Sequence, residues 1–289
     1  MNQRRHFLLF AFFFLAVCVF RLPAAETGAK IHLTAHRGCS ALYPENTMCA
    51  FRAAANLGVD CIELDLQQSA DGVPVVSHDQ TLRRTTGVRR SVGSLSCGEL
   101  KRLDAGSWYA TAFAGERIPT FEEVLRLAER DRICLNVEIK DCGCRDSLCS
   151  HTIRLIRQYH MQNHCAIASQ NYGVLCRIKR CAPELTTIYI VNSPIQAAEK
   201  LPCADEISAA YSSLTTSAVT RIHACGKRVH VWTVDTPEEI QGAAALGADD
   251  IITDNPALVQ SIFHKLPQNT PAYAFTAHRI FAECARGFR

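Results

Sequence analysis

The fold is decided by residues 31–87, IHLTAHRGCSALYPENTMCAFRAAANLGVDCIELDLQQSADGVPVVSHDQTLRRTTG. In this stretch His36 follows the first apolar run, and His78 ends the run PVVSH. A parallel barrel presents catalytic groups in this way, at the carboxyl ends of its strands. Glu63 and Asp65 stand two apart in CIELDLQ, so in a strand they share a face. Two carboxylates on one wall suit a hard divalent cation.

Downstream of this start, short β-branched runs alternate with helix-like segments, which is typical of a parallel sheet wrapped by helices. We predict eight strands, near residues 31–36, 60–66, 133–139, 165–169, 185–191, 204–208, 228–234 and 249–253. Eight strands close a barrel, so the predicted fold class is α/β, a (β/α)8 TIM barrel. No glycine fingerprint follows any of these runs, which argues against a dinucleotide-binding fold.

The first helix is expected to begin at PENT, where Asn46 or Thr47 can cap free backbone amides, and to end at Gly58. Its inward stripe is predicted to contain Met48, Phe51 and Ala55.

Taken singly, these motifs have structural alternatives, because E-x-D on a strand is often a salt-bridged surface and His beside Asp is often a polar turn. Their order is more specific: HRG, then PENT, G-x-D-x-I-E-x-D, DG-x-P-V-V-x-HD and RTTG. This order closely resembles the glycerophosphodiester phosphodiesterase family. The resemblance extends from residue 31 to about residue 263, and it implies a TIM barrel with a small insertion after the second strand.

The resemblance also implies roles for eight side chains. It implies one divalent cation, Ca²⁺ or Mg²⁺, held by Glu63, Asp65 and Glu138. It implies general acid and base catalysis by His36 and His78. It implies substrate or phosphate contacts for Arg37, Lys140 and Trp232. A structural salt bridge between Glu138 and Lys140, and a core position for Trp232, stay open as alternatives.

The activity implied by the resemblance is metal-dependent hydrolysis of glycerophosphodiesters to sn-glycerol 3-phosphate and an alcohol. The glycerol hydroxyl would attack phosphorus, and water would open the resulting cyclic phosphate. Which histidine removes the first proton is left open. Three alternatives remain: a lysophospholipase D or phospholipase-like phosphodiesterase on lipid substrates, a non-catalytic ligand-binding barrel, and a metal hydrolase of amide bonds.

Composition bounds the partners of the chain. Its 289 residues are 48% apolar, which is enough for one large barrel core. The net charge of +3 is too weak to indicate nucleic acid, so we expect a small anionic substrate and no nucleic acid. The oligomeric state is undetermined.

The N-terminus is predicted to be a secretion signal. Residues 1–25 combine the basic start MNQRRH, the apolar run FLLFAFFFLAVCVF and small residues for cleavage near Ala25. We therefore expect export to the periplasm or the exterior. The alternative is that the segment is not cleaved and anchors the protein in the membrane, and this segment would then be its only membrane contact. The barrel domain is expected over residues 26–265, with a C-terminal tail over residues 266–289.

The chain has fifteen cysteines, of which fourteen remain after loss of Cys18, an even number that would allow disulfides in an oxidising compartment. Cys61 and Cys134 lie in apolar strand-like runs and are expected to be small buried hydrophobes. The cluster Cys142, Cys144 and Cys149 lacks paired zinc spacing, so a disulfide-stabilised loop or free thiols are favoured.

Residues 88–118 form a long, glycine-containing connection, which is the predicted insertion. Trp108 and Tyr109 are candidates for a substrate wall, with packing of the insertion onto the barrel as the alternative. Ser169 is followed by Gln170 where family members more often have an aromatic residue, which puts the substrate contacts there in doubt.

Overall fold

The computed structural model describes residues 31–140, 145–192 and 200–265. The predicted signal segment, its cleavage point, the C-terminal tail and the cysteines at 142 and 144 lie outside these residues. None of the helices in the described ranges is long and apolar enough to cross a bilayer.

Nine strands of the described residues form one sheet, and eight of them close a parallel barrel. They are β1 (His32–Ala35), β2 (Cys61–Gln68), β3 (Pro74–Val76), β4 (Cys134–Ile139), β5 (Cys165–Ser169), β6 (Thr186–Val191), β7 (Glu206–Ala210), β8 (Val229–Trp232) and β9 (Asp250–Thr253). The order is β1-β9-β8-β7-β6-β5-β4-β2-β3, and a further β1–β2 pairing closes the ring. All eight predicted strands and the TIM-barrel class are confirmed.

Helices connect the strands and cover the barrel. They are α1 (Met48–Leu57), α2 (Arg83–Thr86), α3 (Cys97–Leu100), α4 (Phe121–Asp131), α5 (Arg145–Gln158), α6 (Tyr172–Cys181), α7 (Thr216–Ala224), α8 (Pro237–Leu246) and α9 (Pro256–Lys265). The two short helices α2 and α3 belong to the long connection between β3 and α4. A second hydrophobic core holds this connection against the barrel, with Leu82, Val92, Leu95, Leu100 and Ile118 among its buried members.

The run PVVSH differs from the expectation that catalytic groups follow parallel strands. Its strand β3 is antiparallel to β2, with Leu66 opposite Val76. The reason is the short link between them: the N–H of Ser69 donates to the carbonyl of Val73 at 3.0 Å, and Gly72 has φ of +83° in the turn. A parallel crossover needs a dozen or more residues, so only a hairpin fits. His78 is therefore presented by a hairpin.

Helix α1 begins and ends as the sequence predicts. The Thr47 hydroxyl accepts from the N–H of Ala50, and Gly58 ends the helix in the left-handed region with φ of +69°. Phe51 is fully buried, and the flanking Met48 and Ala55 pack half-buried against the core. Asn46 does not cap the helix, because its amide binds Asp65 in the site described below.

The end of the barrel at which the strands begin, opposite the predicted site, contains a buried ionic network. His230 Nδ1 lies 2.7 Å from Asp250, and its Nε2 lies 2.5 Å from Glu206. The Thr34 hydroxyl also donates to Asp250, at 2.8 Å. Burial opposes a charge on His230, but its two carboxylate partners raise its pKa to about 9. An imidazolium therefore stands between two carboxylates inside the barrel.

Cysteines follow two patterns in the described residues. Cys61 and Cys134 are buried in β2 and β4, as predicted. One disulfide, between Cys176 and Cys203, joins α6 to the segment before β7. Cys149 of the predicted cluster is buried on α5.

Candidate active site

Three buried carboxylates come together where β2 and β4 end. Glu63 and Asp65 lie on one face of β2, and parallel register sets Asp65 beside Glu138 of β4. One ligand oxygen from each residue lies within 4.8 Å of the others. The pattern in CIELDLQ therefore builds two sides of the cluster, and the neighbouring strand builds the third.

Cationic and amide groups surround this cluster. Lys140 Nζ lies 2.8 Å from carboxylate oxygens of both Asp65 and Glu138. The backbone N–H of Arg37 donates to Glu63 at 2.9 Å, and its guanidinium Nε lies 3.4 Å from Asp65. The Asn46 amide donates to Asp65 at 2.8 Å. The salt bridge between Glu138 and Lys140 is thus present, within a larger network.

The electrostatics of the cluster reflect crowding of negative charge. Burial, followed by the charge of Asp65, raises the pKa of Glu63 to about 8. Burial also raises the pKa of Glu138. Burial acts on Asp65 in the same direction, but the charges of Lys140 and Arg37 hold its pKa below the usual range. Three buried oxygen donors in this proximity fit a hard divalent cation, which would relieve the crowding.

His36 is oriented by a carboxylate from the opposite end of the chain. Its Nδ1 lies 2.6 Å from Asp254 Oδ1, and its Nε2 lies 4.0 Å from Glu63. The Ser40 hydroxyl also lies 2.7 Å from Asp254. Burial lowers the pKa of His36, but the Asp254 hydrogen bond and the charge of Glu63 outweigh it, so the pKa is raised.

His78 is oriented in the same way by its neighbour. Its Nδ1 lies 2.8 Å from Asp79 Oδ1, and Arg84 in turn holds Asp79 at 2.8 Å. Burial lowers the pKa of His78, and the charge of Asp65 only partly compensates. Both histidines are thus held by a carboxylate through Nδ1.

Sequence reasoning did not find the contact between Asp254 and His36. The available indication was its position: Asp254 directly follows the closing strand, and β9 pairs in register with β1. The residue after β9 must therefore lie beside the residue after β1, which is His36. Glu45 of PENT was missed as well. It binds Arg37 at 2.9 Å and Arg84 at 2.7 Å.

The cleft between these groups has about 470 Å³ of empty space, which includes the solvent at its mouth. Seven of the eight predicted site residues line it, namely His36, Arg37, Glu63, His78, Glu138, Lys140 and Trp232. Asp65 is 1% exposed and lies under Lys140 and Arg37. Gln170 also lines the cleft, so the unusual residue after Ser169 is at the site. The lining does not include Trp108 or Tyr109, and the Tyr109 hydroxyl donates to the carbonyl of Ala41, which favours the alternative that these residues pack the insertion onto the barrel.

The model of the glycerophosphoryl diester phosphodiesterase family matches residues 36–258. The chain belongs to this family. Membership places it among the phosphoric diester hydrolases that act on glycerophosphodiesters, and the matched segment contains all eight predicted site residues.

Relatives in the family are similar over nearly their whole length. A glycerophosphodiester phosphodiesterase of Caldanaerobacter subterraneus subsp. tengcongensis is 35% identical over 245 residues, which are 82% of this chain and 99% of the relative. A human lysophospholipase D is 26% identical, over 92% of this chain and 94% of the relative. The structure of an Oleispira antarctica phosphodiesterase in complex with the product sn-glycerol-3-phosphate superposes with a TM-score of 0.78 at 29% identity, over 82% of this chain and 98% of the other.

Proposed function

We propose that this chain hydrolyses glycerophosphodiesters to sn-glycerol 3-phosphate and an alcohol, with a divalent cation and with His36 and His78 as proton-transfer groups. The observation that carries the proposal is the pairing of two carboxylate-held imidazoles with a three-carboxylate cluster around one cleft. The Oleispira relative with bound product supports the glycerol phosphate half of the substrate.

The cation would be held by Glu63, Asp65 and Glu138, whose oxygens are the donors that Ca²⁺ and Mg²⁺ prefer. When bound, such an ion supplies positive charge that neutralises a phosphodiester and stabilises charge developing at phosphorus. Arg37 and Lys140 already lie at this cluster, so they add fixed positive charge on the same side of the cleft.

Proton transfer is the part of the reaction that the two histidines would perform. One imidazole Nε2 takes the proton from the substrate's own glycerol hydroxyl as that oxygen forms a bond to phosphorus. The other Nε2 gives a proton to the alcohol oxygen as its bond to phosphorus breaks, which leaves a cyclic phosphate. Water then opens the ring with the two roles exchanged, giving glycerol 3-phosphate. A positioned proton transfer of this kind is worth about 10²–10⁴-fold.

The apolar side of the cleft suits the carbon skeleton of glycerol. Trp232, Ile190 and Ile252 line it across from the charged cluster. The Trp232 indole N–H is buried and has no hydrogen-bond partner among the described residues. We propose that this N–H donates to a substrate oxygen, since a buried donor otherwise bears the cost of desolvation.

The cyclic route is tested with a substrate analogue that lacks the attacking hydroxyl. Glycerophosphocholine and its 2-deoxy analogue are offered to the enzyme, and phosphorus NMR follows the products. The proposal predicts turnover of the first, with a transient cyclic phosphate signal, and no turnover of the second. Comparable hydrolysis of both would mean that water attacks directly, and it would refute the cyclic route.

A lysophospholipase D activity is the second candidate, because a human relative with that name covers most of the chain. It would use the same histidines and carboxylates. Release of choline from lysophosphatidylcholine at a kcat/KM above that for glycerophosphocholine would establish it.

We also propose export to an oxidising compartment. The signal-like composition of residues 1–25 supports this, as does the Cys176–Cys203 disulfide, since structural disulfides persist outside reducing compartments. Detection of the protein in the periplasmic or extracellular fraction, shortened near Ala25, would test the localisation.

A further inference from the structure

An exposed apolar cluster borders the active-site cleft. We name it the aromatic patch, and it consists of Leu42, Tyr43, Trp108, Tyr109 and Phe113. Leu42 is 61% exposed, Trp108 38% and Tyr109 36%. Ring centroids of Trp108 and Tyr109 lie 5.8 Å apart, and Phe113 lies 5.7 Å from Tyr109 and 5.5 Å from Tyr43. Of the four large apolar side chains exposed in the described residues, three belong to this patch.

The patch contacts residues that bind the carboxylate partners of both histidines. The Tyr109 hydroxyl donates to the carbonyl of Ala41 at 2.6 Å, and the Ala41 N–H donates to the carbonyl of Asp254 at 3.0 Å. On the other side, the Arg84 guanidinium lies 5.5 Å from the Trp108 ring centroid and holds Asp79. The patch therefore lies on the rim of the cleft, one residue away from the carboxylate partner of each histidine.

The segment that contributes most of the patch is strongly basic. Residues 83–118 contain seven Arg or Lys and only three Asp or Glu. Two of the three acidic side chains are occupied internally: Asp104 accepts backbone N–H groups of its own turn, and Glu99 forms a capping box with Ser96. Among the basic side chains, Arg84 is paired with Glu45 and Asp79, and Lys101 is paired with Glu123. Arg83 and Arg89 are exposed and form no ion pair within the described ranges. Exposed aromatic rings thus occur on a cationic segment.

We propose that the aromatic patch docks the enzyme on an anionic lipid surface, with the cleft facing that surface. Tyrosine and tryptophan are enriched where protein meets the headgroup region, because their rings have an apolar body and a polar tip. Lysine and arginine near the surface add attraction to anionic lipids. This departs from the expectation that only the N-terminal segment contacts membranes. The proposal does not depend on the reaction proposed above.

A second copy of the chain is a poorer occupant of the patch. A self-dimer through it would bring two basic segments face to face, and like charges across an interface disfavour association. An anionic lipid surface complements the same charges.

Intrinsic fluorescence tests the docking directly, since the chain has only two tryptophans, Trp108 in the patch and Trp232 in the cleft. The full chain is mixed with phosphatidylcholine and phosphatidylglycerol vesicles (7:3) containing brominated acyl chains. We expect a blue shift and strong quenching in the parent chain, and neither in Trp108→Phe, which reports Trp232 alone. If the chain binds the vesicles but its Trp108 emission is neither quenched nor shifted, the N-terminal segment alone binds. That result would overturn the proposal.

Co-sedimentation with the same vesicles adds a matched control. Leu42→Ser and the Leu42→Ser/Trp108→Ser pair are compared with Leu57→Ser, which removes an apolar side chain that is 38% exposed, as Trp108 is, at the far end of α1. The N-terminal segment is present in every variant, so differences report the patch. We expect the vesicle partition coefficient of the double variant to be about tenfold lower than that of the parent chain, and that of Leu57→Ser to be unchanged. Raising the salt concentration to 0.5 M should lower the partition coefficient of the parent chain by a similar factor. Equal partitioning of all variants would refute the proposal, as would a patch-dependent dimer in sedimentation velocity.

Discussion

Replacing Asp254 by Asn keeps the shape of the side chain that holds His36 and removes its charge. Asp254 Oδ1 lies 2.6 Å from His36 Nδ1, so a carboxylate there fixes the tautomer and stabilises the imidazolium. An amide at the same place can present its N–H to Nδ1, which moves the imidazole proton to Nε2. A correctly oriented imidazole contributes about 10²–10⁴-fold, so we expect kcat to fall by that order.

The assay separates orientation from damage to the fold. Steady-state release of glycerol 3-phosphate from glycerophosphocholine gives kcat and KM, and the loss is expected in kcat. The pH–rate profile should change as well: Asp254 raises the pKa of His36, so its loss moves the corresponding limb to lower pH. The control is Asp249→Asn, which neutralises the partner of His223 in another His–Asp pair, at 2.8 Å and outside the cleft. The orienting role would be refuted if the kcat of Asp254→Asn lay within about twofold of the kcat of Asp249→Asn and its pH–rate profile were unchanged.

Three further predictions follow from other parts of the structure. The first uses a p-nitrophenyl glycerophosphodiester, whose leaving group needs no protonation. With this substrate either His36→Ala or His78→Ala should recover much of its lost rate, and the variant that recovers identifies the general acid. Recovery in neither variant would exclude general acid catalysis of leaving-group departure. Because the pKa of His230 is raised to about 9, its contribution of about 3 kcal/mol is fully present below about pH 6.5 and is lost as pH rises through 9. Urea unfolding from pH 6 to 10 should show this decline, and His230→Gln should flatten it; an equal slope in both proteins would contradict the assignment. The Cys176–Cys203 disulfide joins residues 27 apart, so Cys203→Ser should lower the free energy of unfolding by about 3–4 kcal/mol. The comparison is made with the parent protein under non-reducing conditions. An unchanged free energy of unfolding would show that the bond is not formed.

The sequence predicts most of the barrel because the relevant rules are local. Each parallel strand is a short apolar run, and the two-residue period in CIELDLQ puts Glu63 and Asp65 on one face before any partner strand is known. The cluster with Glu138 then requires only that β2 and β4 pair in register, which they do. The cationic neighbours followed from family resemblance.

The features that sequence did not reveal depend on contacts between distant segments. The role of Asp254 depends on the ring closing between β1 and β9, which brings together residues 218 apart. The hairpin that carries His78 is the exception, because the link between β2 and β3 is local and its shortness, which excludes a crossover, can be read from the sequence. The position of Trp108 and Tyr109 outside the cleft depends on how the insertion packs on its own core, and no local pattern encodes that packing.

Metal-dependent hydrolysis is the central claim, and one assay tests it most directly. The purified chain is incubated with glycerophosphocholine after chelation, and then with added Ca²⁺ or Mg²⁺, while glycerol 3-phosphate is measured. The account predicts no release with chelator, recovery with at least one of the two ions, and little recovery in Glu138→Gln, which keeps the side-chain volume but loses a ligand charge. Undiminished release in the presence of chelator, or no release with either ion from folded protein, would contradict it.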